Sequence, residues 1–181
     1  PPGGAGRTPA GVWSATLPVH LTDRSSGRVL HLDPSRPTRW GMGQKRNRRD
    51  LQAALEAGQP VLARRNLWKA DHLEGFVVHV DRAWAVLHLV YDVGLNGWTA
   101  VRLDTVRDVV RQPADAFITR ALAWASERPE PAALDTSSAA DLLRSASTEF
   151  PLITLYTEAA DPTVCAIGRP TRFGGSKVNF L

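Results

Sequence analysis

Between residues 60 and 111 five short apolar runs follow one another with no room for a helix between them, and this succession restricts the fold more than any other feature. The runs are 60–64, 73–81, 84–91, 97–103 and 106–111, rich in Val, Leu and Trp, as strands are. Connections this short join antiparallel strands, because parallel neighbours need a long crossover. Gly94, Leu95, Asn96 and Gly97 supply turn chemistry between the third and fourth runs, since Asn and Gly tolerate positive φ. Ahead of the strands, Leu51, Ala54 and Leu55 recur at helical spacing within 45–57, and Gly58 and Pro60 stop the pattern. Helix and five strands are expected to form one compact unit.

The flanks are less regular. Residues 1–11 are Pro- and Gly-rich with nothing to bury, and are expected to be a disordered leader. Segment 12–32 alternates Leu17, Val19, Leu21 and then Val29, Leu30, Leu32 around a polar 23–27, a hairpin pattern ended by Pro34 and Pro37. A second helix is predicted over 114–128, with Phe117, Leu122 and Trp124 among its apolar positions. After a 129–131 linker a third follows over 135–148, with Leu142 and Leu143 inward and caps at Thr136 to Ser138. Strands are predicted at 152–157, 164–169 and 177–181, with turns at Asp161-Pro162 and Gly174-Gly175. The expected organisation is therefore 1–11 leader, 12–112 hairpin, helix and five-stranded unit, 113–134 helix and linker, and 135–181 a second helix-plus-strands module. That last module weakly repeats the first. The chain starts at Pro1 and stops on the apolar Val178-Asn179-Phe180-Leu181, as a chain cut inside a strand would.

Composition narrows the classes. The 181 residues are 43% apolar, with 22 Lys+Arg against 18 Asp+Glu and a net charge of +4, an ordinary globular balance that excludes collagen, a disulfide scaffold and a wholly disordered chain. The longest apolar tract, 83–91, is interrupted by His88 and is about half the length of a membrane-spanning helix, so no membrane partner is expected. Cys165 is the single cysteine, and its neighbours carry no charge that would lower a thiol pKa, so a buried structural thiol is expected. With neither a signal segment nor a lipidation motif at its start, the chain is expected in the cytoplasm.

Gly75-Phe76-Val77-Val78-His79-Val80-Asp81 followed by Trp84-Ala85-Val86-Leu87 resembles the first motif of Sm-like barrels: a Gly in a bent strand, an apolar alternation, an Asp at its end and a second apolar strand. The run from Gly97 through Trp98, Thr99, Ala100, Val101, Arg102, Leu103, Asp104 and Thr105 to Val106 is similar to the end of WYL domains, which share that barrel. The resemblance covers about residues 45–112. It implies a small, strongly bent antiparallel Sm-like β-barrel, and with the flanking segments the expected fold is α+β: that barrel preceded by a helix and followed by helices and a second partial β module. It also implies a regulatory module linked to nucleic acid and assembly through barrel edges. Sm-like RNA-binding proteins place an Asn after the bend, where Ala85 and Val86 stand here, and their second-motif Arg-Gly pair is replaced near Leu103-Asp104. The resemblance therefore bears on fold more than on function.

Charge is distributed unevenly. Residues 36–69 hold nine basic side chains against Asp50 and Glu56, a window of +7 that leaves −3 for the rest. Within it, Gln44-Lys45-Arg46-Asn47-Arg48-Arg49 packs four cations into six residues at a helix start, where they oppose the helix dipole. Clustered cations bind phosphates, and aromatic rings stack on unpaired bases. The expected function is a non-enzymatic regulatory binding module that contacts RNA or DNA through Lys45, Arg46, Arg48, Arg49, Arg64, Arg65 and Lys69, with Trp40 or Trp68 stacking. A solvated helix face is the competing explanation. The alternative function is an adaptor that self-associates through exposed edge strands.

Catalytic and metal chemistry have no support in the spacing. His20, His31, His72, His79 and His88 form no ligand motif, although His79 and His88 could face each other across adjacent strands, and core or rim positions are expected for them. Glu74, Asp81, Asp92 and Asp104 sit at strand ends, where carboxylates serve turns and pair with Arg. Gly174-Gly175-Ser176-Lys177 lacks the second spaced Gly of a phosphate loop and suits a hairpin. No cofactor is expected.

Overall fold

A computed structural model describes residues 13–16, 19–24, 27–32, 42–66, 72–91, 94–113, 116–125, 127–156, 165–174 and 177–180. The leader expected over 1–11 lies outside them. In chain order the elements are β1 (Trp13–Thr16), β2 (Val19–Arg24), β3 (Gly27–Leu32), α1 (Met42–Ala57), β4 (Pro60–Arg65), β5 (Leu73–Val80), β6 (Trp84–Tyr91), β7 (Gly94–Arg102), a 3-10 turn (Leu103–Thr105) and β8 (Val106–Arg111). Then come α2 (Phe117–Ala125), α3 (Ala139–Glu149), β9 (Ile153–Tyr156), β10 (Cys165–Gly168), β11 (Pro170–Gly174) and β12 (Lys177–Phe180). The protein is α+β.

Strands β4 to β7 pair consecutively and antiparallel, and β8 returns beside β4, giving five antiparallel strands after a helix. They do not close into a barrel among the described residues. The free edge of β7 is taken instead by β1, in parallel register with Trp13 opposite Trp98, and β1 hands the sheet on to β9 and β10. The result is an eight-stranded sheet in the order β10-β9-β1-β7-β6-β5-β4-β8, beside a four-stranded sheet in the order β11-β12-β3-β2. The expected 12–32 hairpin is present as β2 and β3. Its leading segment β1 instead joins the larger sheet, and the strands of 135–181 are shared out, β9 beside β1 and β12 beside β3.

The sheet is covered on both faces, which is why β6 reads as an almost unbroken apolar run. Trp84 and Val86 of β6, with Trp98 and Ala100 of β7, pack under Leu142, Leu143, Ala146 and Phe150 of the α3 side. On the other face Ala85, Leu87, Val101 and Val61 pack against Leu51 and Ala54 of α1. Helix α2 lays Ile118 and Leu122 on Phe76, with Val90 and Leu95 beside them. Ser138 is the α3 N-cap, accepting from the Asp141 N–H at 3.1 Å, as its position predicts.

Three local expectations change. Residues 94–97 do not form the turn between β6 and β7: Tyr91 pairs with Gly94, so β7 already begins there. His88 pairs with Trp98 and Val90 with Leu95, so Asn96 and Gly97 together oppose one residue, and Gly97 takes φ +70° in this bulge. The same positive-φ chemistry thus serves a bulge. Strand β11 is an addition, because Pro170 and Gly174 obscure a strand pattern. Cys165 is half-buried on β10 rather than enclosed in the core.

Candidate functional site

Helix α1 is amphipathic in an unusual way, because the polar residue Asn47 belongs to its buried face together with Leu51 and Ala54. The Asn47 amide donates to the carbonyls of Val106 at 2.8 Å and Arg107 at 3.2 Å, pinning the start of the helix to β8. With this face fixed and a turn of about 100° per residue, positions 45, 48, 49, 52, 53 and 56 form one stripe on the far side. Those six residues, Lys45, Arg48, Arg49, Gln52, Ala53 and Glu56, line an open groove of about 850 Å³, and Arg82 joins them among the described residues.

Arg82 comes from the tight connection between β5 and β6. The Asp81 carboxylate accepts from the N–H groups of Ala83 at 2.6 Å and Trp84 at 2.7 Å, closing the turn and leaving Arg82 exposed at its tip. The Ala83 carbonyl in turn accepts from the Leu103 N–H at 2.9 Å. Both contributors to the groove are therefore anchored to one segment, 103–107: α1 through Asn47 and the Arg82 turn through Ala83. Cations held by anchored backbone lose less entropy on meeting an anion than cations on mobile segments.

The residues singled out from sequence separate here. Lys45, Arg48 and Arg49 share the groove. Arg46 points at Asp50, 3.5 Å away, and Arg49 also lies 3.8 Å from that carboxylate. Arg64 is on β4, bonded to Asp108 at 3.2 Å, a carboxylate it shares with Arg107, whose hydrogen bond holds the Asp108 carboxyl below its ordinary pKa. Arg65 follows it on β4, away from the groove. Trp40, Trp68 and Lys69 lie outside the described residues. Sequence reasoning missed Arg82, Gln52 and Glu56. The signal for Arg82 was its place after Asp81 in a turn between two apolar strands, which puts a side chain at an exposed tip.

A second polar cluster is structural. His88 is 6% exposed, stacked on Trp98 with ring centroids 4.2 Å apart, and its Nδ1 accepts from the Glu130 N–H at 3.1 Å. Trp98 Nε1 donates to the Glu130 carbonyl at 2.8 Å, so both backbone polar groups of one residue in the connection between α2 and α3 are held. His79 and His88 do not face each other: His88 pairs with Phe76, and His79 with Val86. His79 Nε2 lies 3.2 Å from Thr136 Oγ1 at the sheet rim. No group of three or more metal-ligating side chains occurs among the described residues.

Burial pushes the His88 pKa below the ordinary 6.5, while the Glu130 and Glu127 carboxylates pull the other way. The unfolded chain therefore takes up this proton first, so the contribution of neutral His88 to stability is complete above about pH 6.5 and is lost as pH falls toward the lowered value. Protonation also turns Nδ1 from acceptor to donor against the Glu130 N–H. Thermal denaturation from pH 8 to pH 5 is expected to show Tm falling on the acid side, with a shallower fall for His88→Asn. Equal slopes for both proteins would exclude His88 as the group responsible.

No protein-family model, curated protein or solved structure matches the chain. No helix among the described residues is long and apolar enough to cross a membrane.

Proposed function

We propose that this protein is a non-enzymatic regulatory module that contacts nucleic acid through the α1 groove. The observation that carries the proposal is the convergence of four cations, Lys45, Arg48, Arg49 and Arg82, from two anchored elements around one groove, with Glu56 the single carboxylate among the described lining residues. A merely solvated helix face needs no cation from a turn so distant in sequence. The helix followed by five antiparallel strands, with the fifth returning beside the first, supports the reading as an Sm-like module. So does the close strand approach at Gly75, the residue on which that resemblance rests.

The test is fluorescence anisotropy with labelled single-stranded RNA, single-stranded DNA and duplex DNA over a salt series. Four phosphate contacts with a single strand imply a slope of log K against log salt of about −3. Binding that ignores salt, or none at low salt, would remove the proposal. It would favour instead assembly through edge strands, to which the exposed Ile167 on β10 and Val110 on β8 lend support.

A further inference from the structure

The groove is not uniformly cationic. Along α1 its lining runs from Lys45, Arg48 and Arg49 to Gln52 and Glu56, about 16 Å from first residue to last at 1.5 Å per residue. Gln52 Nε2 donates to Glu56 Oε1 at 3.0 Å, which orients both side chains along the helix. This leaves Glu56 Oε2 and Gln52 Oε1 as acceptors at that end. No cation is paired with Glu56 among the described residues.

A carboxylate in a phosphate-binding groove repels the ligand unless the ligand brings a hydrogen-bond donor to it. The sugar–phosphate backbone of DNA has no donor, whereas that of RNA carries a 2′-hydroxyl on every residue. Base N–H groups are the other source of donors. Each phosphate held by the four cations brings its own ribose into the groove, so the 2′-hydroxyl is the donor that accompanies every such contact.

We infer that the groove selects the ribose–phosphate backbone of RNA over DNA, with Lys45, Arg48, Arg49 and Arg82 holding phosphates and the Gln52–Glu56 pair accepting from 2′-hydroxyls. The inference rests on the function proposed above. Glu56 is then the specificity residue: with RNA it accepts a charge-assisted hydrogen bond, and with DNA it meets only phosphate charge.

The experiment compares three single-stranded probes of one sequence, RNA, DNA and 2′-O-methyl RNA, by anisotropy at one salt concentration. The last keeps the ribose oxygen but has no donor. The native chain is expected to bind RNA about tenfold more tightly than either other probe, the worth of one hydrogen bond to a charged group. Glu56→Ala should tighten DNA binding and bring the RNA-to-DNA ratio close to one. Arg48→Ala should weaken all three probes by a similar factor. Equal affinity of the native chain for RNA and DNA overturns the selectivity while leaving nucleic-acid binding intact, as does an unchanged ratio in Glu56→Ala. Absence of binding to all three probes at low salt overturns the function itself, and the selectivity with it.

Discussion

Gly75→Ala is expected to destabilise the fold by about 3 kcal/mol, lowering Tm by roughly 10 °C for a chain of this length. A Cβ on Gly75 would collide with the backbone carbonyl oxygen of His88 and lie 2.9 Å from the Leu89 Cα, because β5 and β6 approach closely where Gly75 pairs with Leu89. Neither obstacle is a side-chain tip that could swing away. Relief requires separating two central strands that are packed on both faces. Gly43, in the first turn of α1, has nothing within 4 Å of the same hypothetical atom. Gly43→Ala should therefore be neutral or slightly stabilising, through helix propensity alone. Differential scanning calorimetry of the two variants checks the contrast, and a Gly75→Ala protein melting with the native chain would contradict the strand approach.

Replacing Lys45, Arg48, Arg49 and Arg82 together by Ala is expected to weaken RNA binding about 100-fold near 0.1 M salt and to flatten the salt dependence. All four side chains are exposed, and among the described residues only Arg49 of the four is in an ion pair, with Asp50 of its own helix, so far-UV circular dichroism and Tm should stay near native values. The anchoring falls to other residues, Asn47 for α1 and Asp81 for the turn. Anisotropy titrations over the salt series separate lost charge from lost fold. A variant that binds as tightly as the native chain would place the ligand elsewhere.

How much of this was legible in the sequence depends on the range of the forces involved. Periodicity and breakers mark local structure, so α1 ends where Gly58 places it and the five strands from Pro60 to Arg111 follow the apolar runs, except that α1 and β7 each start three residues earlier than expected. Which edge pairs with which is decided by distant partners. The capture of β7 by β1, and of β3 by β12, leaves no trace in local pattern. The Asn96-Gly97 pair shows the same limit, since its conformational freedom was visible but its use in a bulge depends on the register with β6.

The site divides along the same line. The cationic run at 45–49 was evident, yet its members separate once Asn47 turns inward and fixes the helix rotation. Lys45, Arg48 and Arg49 then face the groove, while Arg46 turns to Asp50. Arg64 lies in the same charge-rich stretch of sequence but pairs with Asp108 on β8, and Arg82 lies outside that stretch but reaches the groove. Charge counted along a chain measures composition, whereas a ligand meets charge gathered in space.

The contrast between those two arginines tests the central claim most directly. Arg82→Ala and Arg64→Ala remove the same charge from exposed positions, one in the groove and one on β4 beside Asp108. If the groove is the binding surface, Arg82→Ala weakens RNA binding about fivefold, one charge-assisted contact, and Arg64→Ala leaves it within about twofold of the native value. If instead Arg64→Ala weakens binding while Arg82→Ala does not, the groove is not the interface.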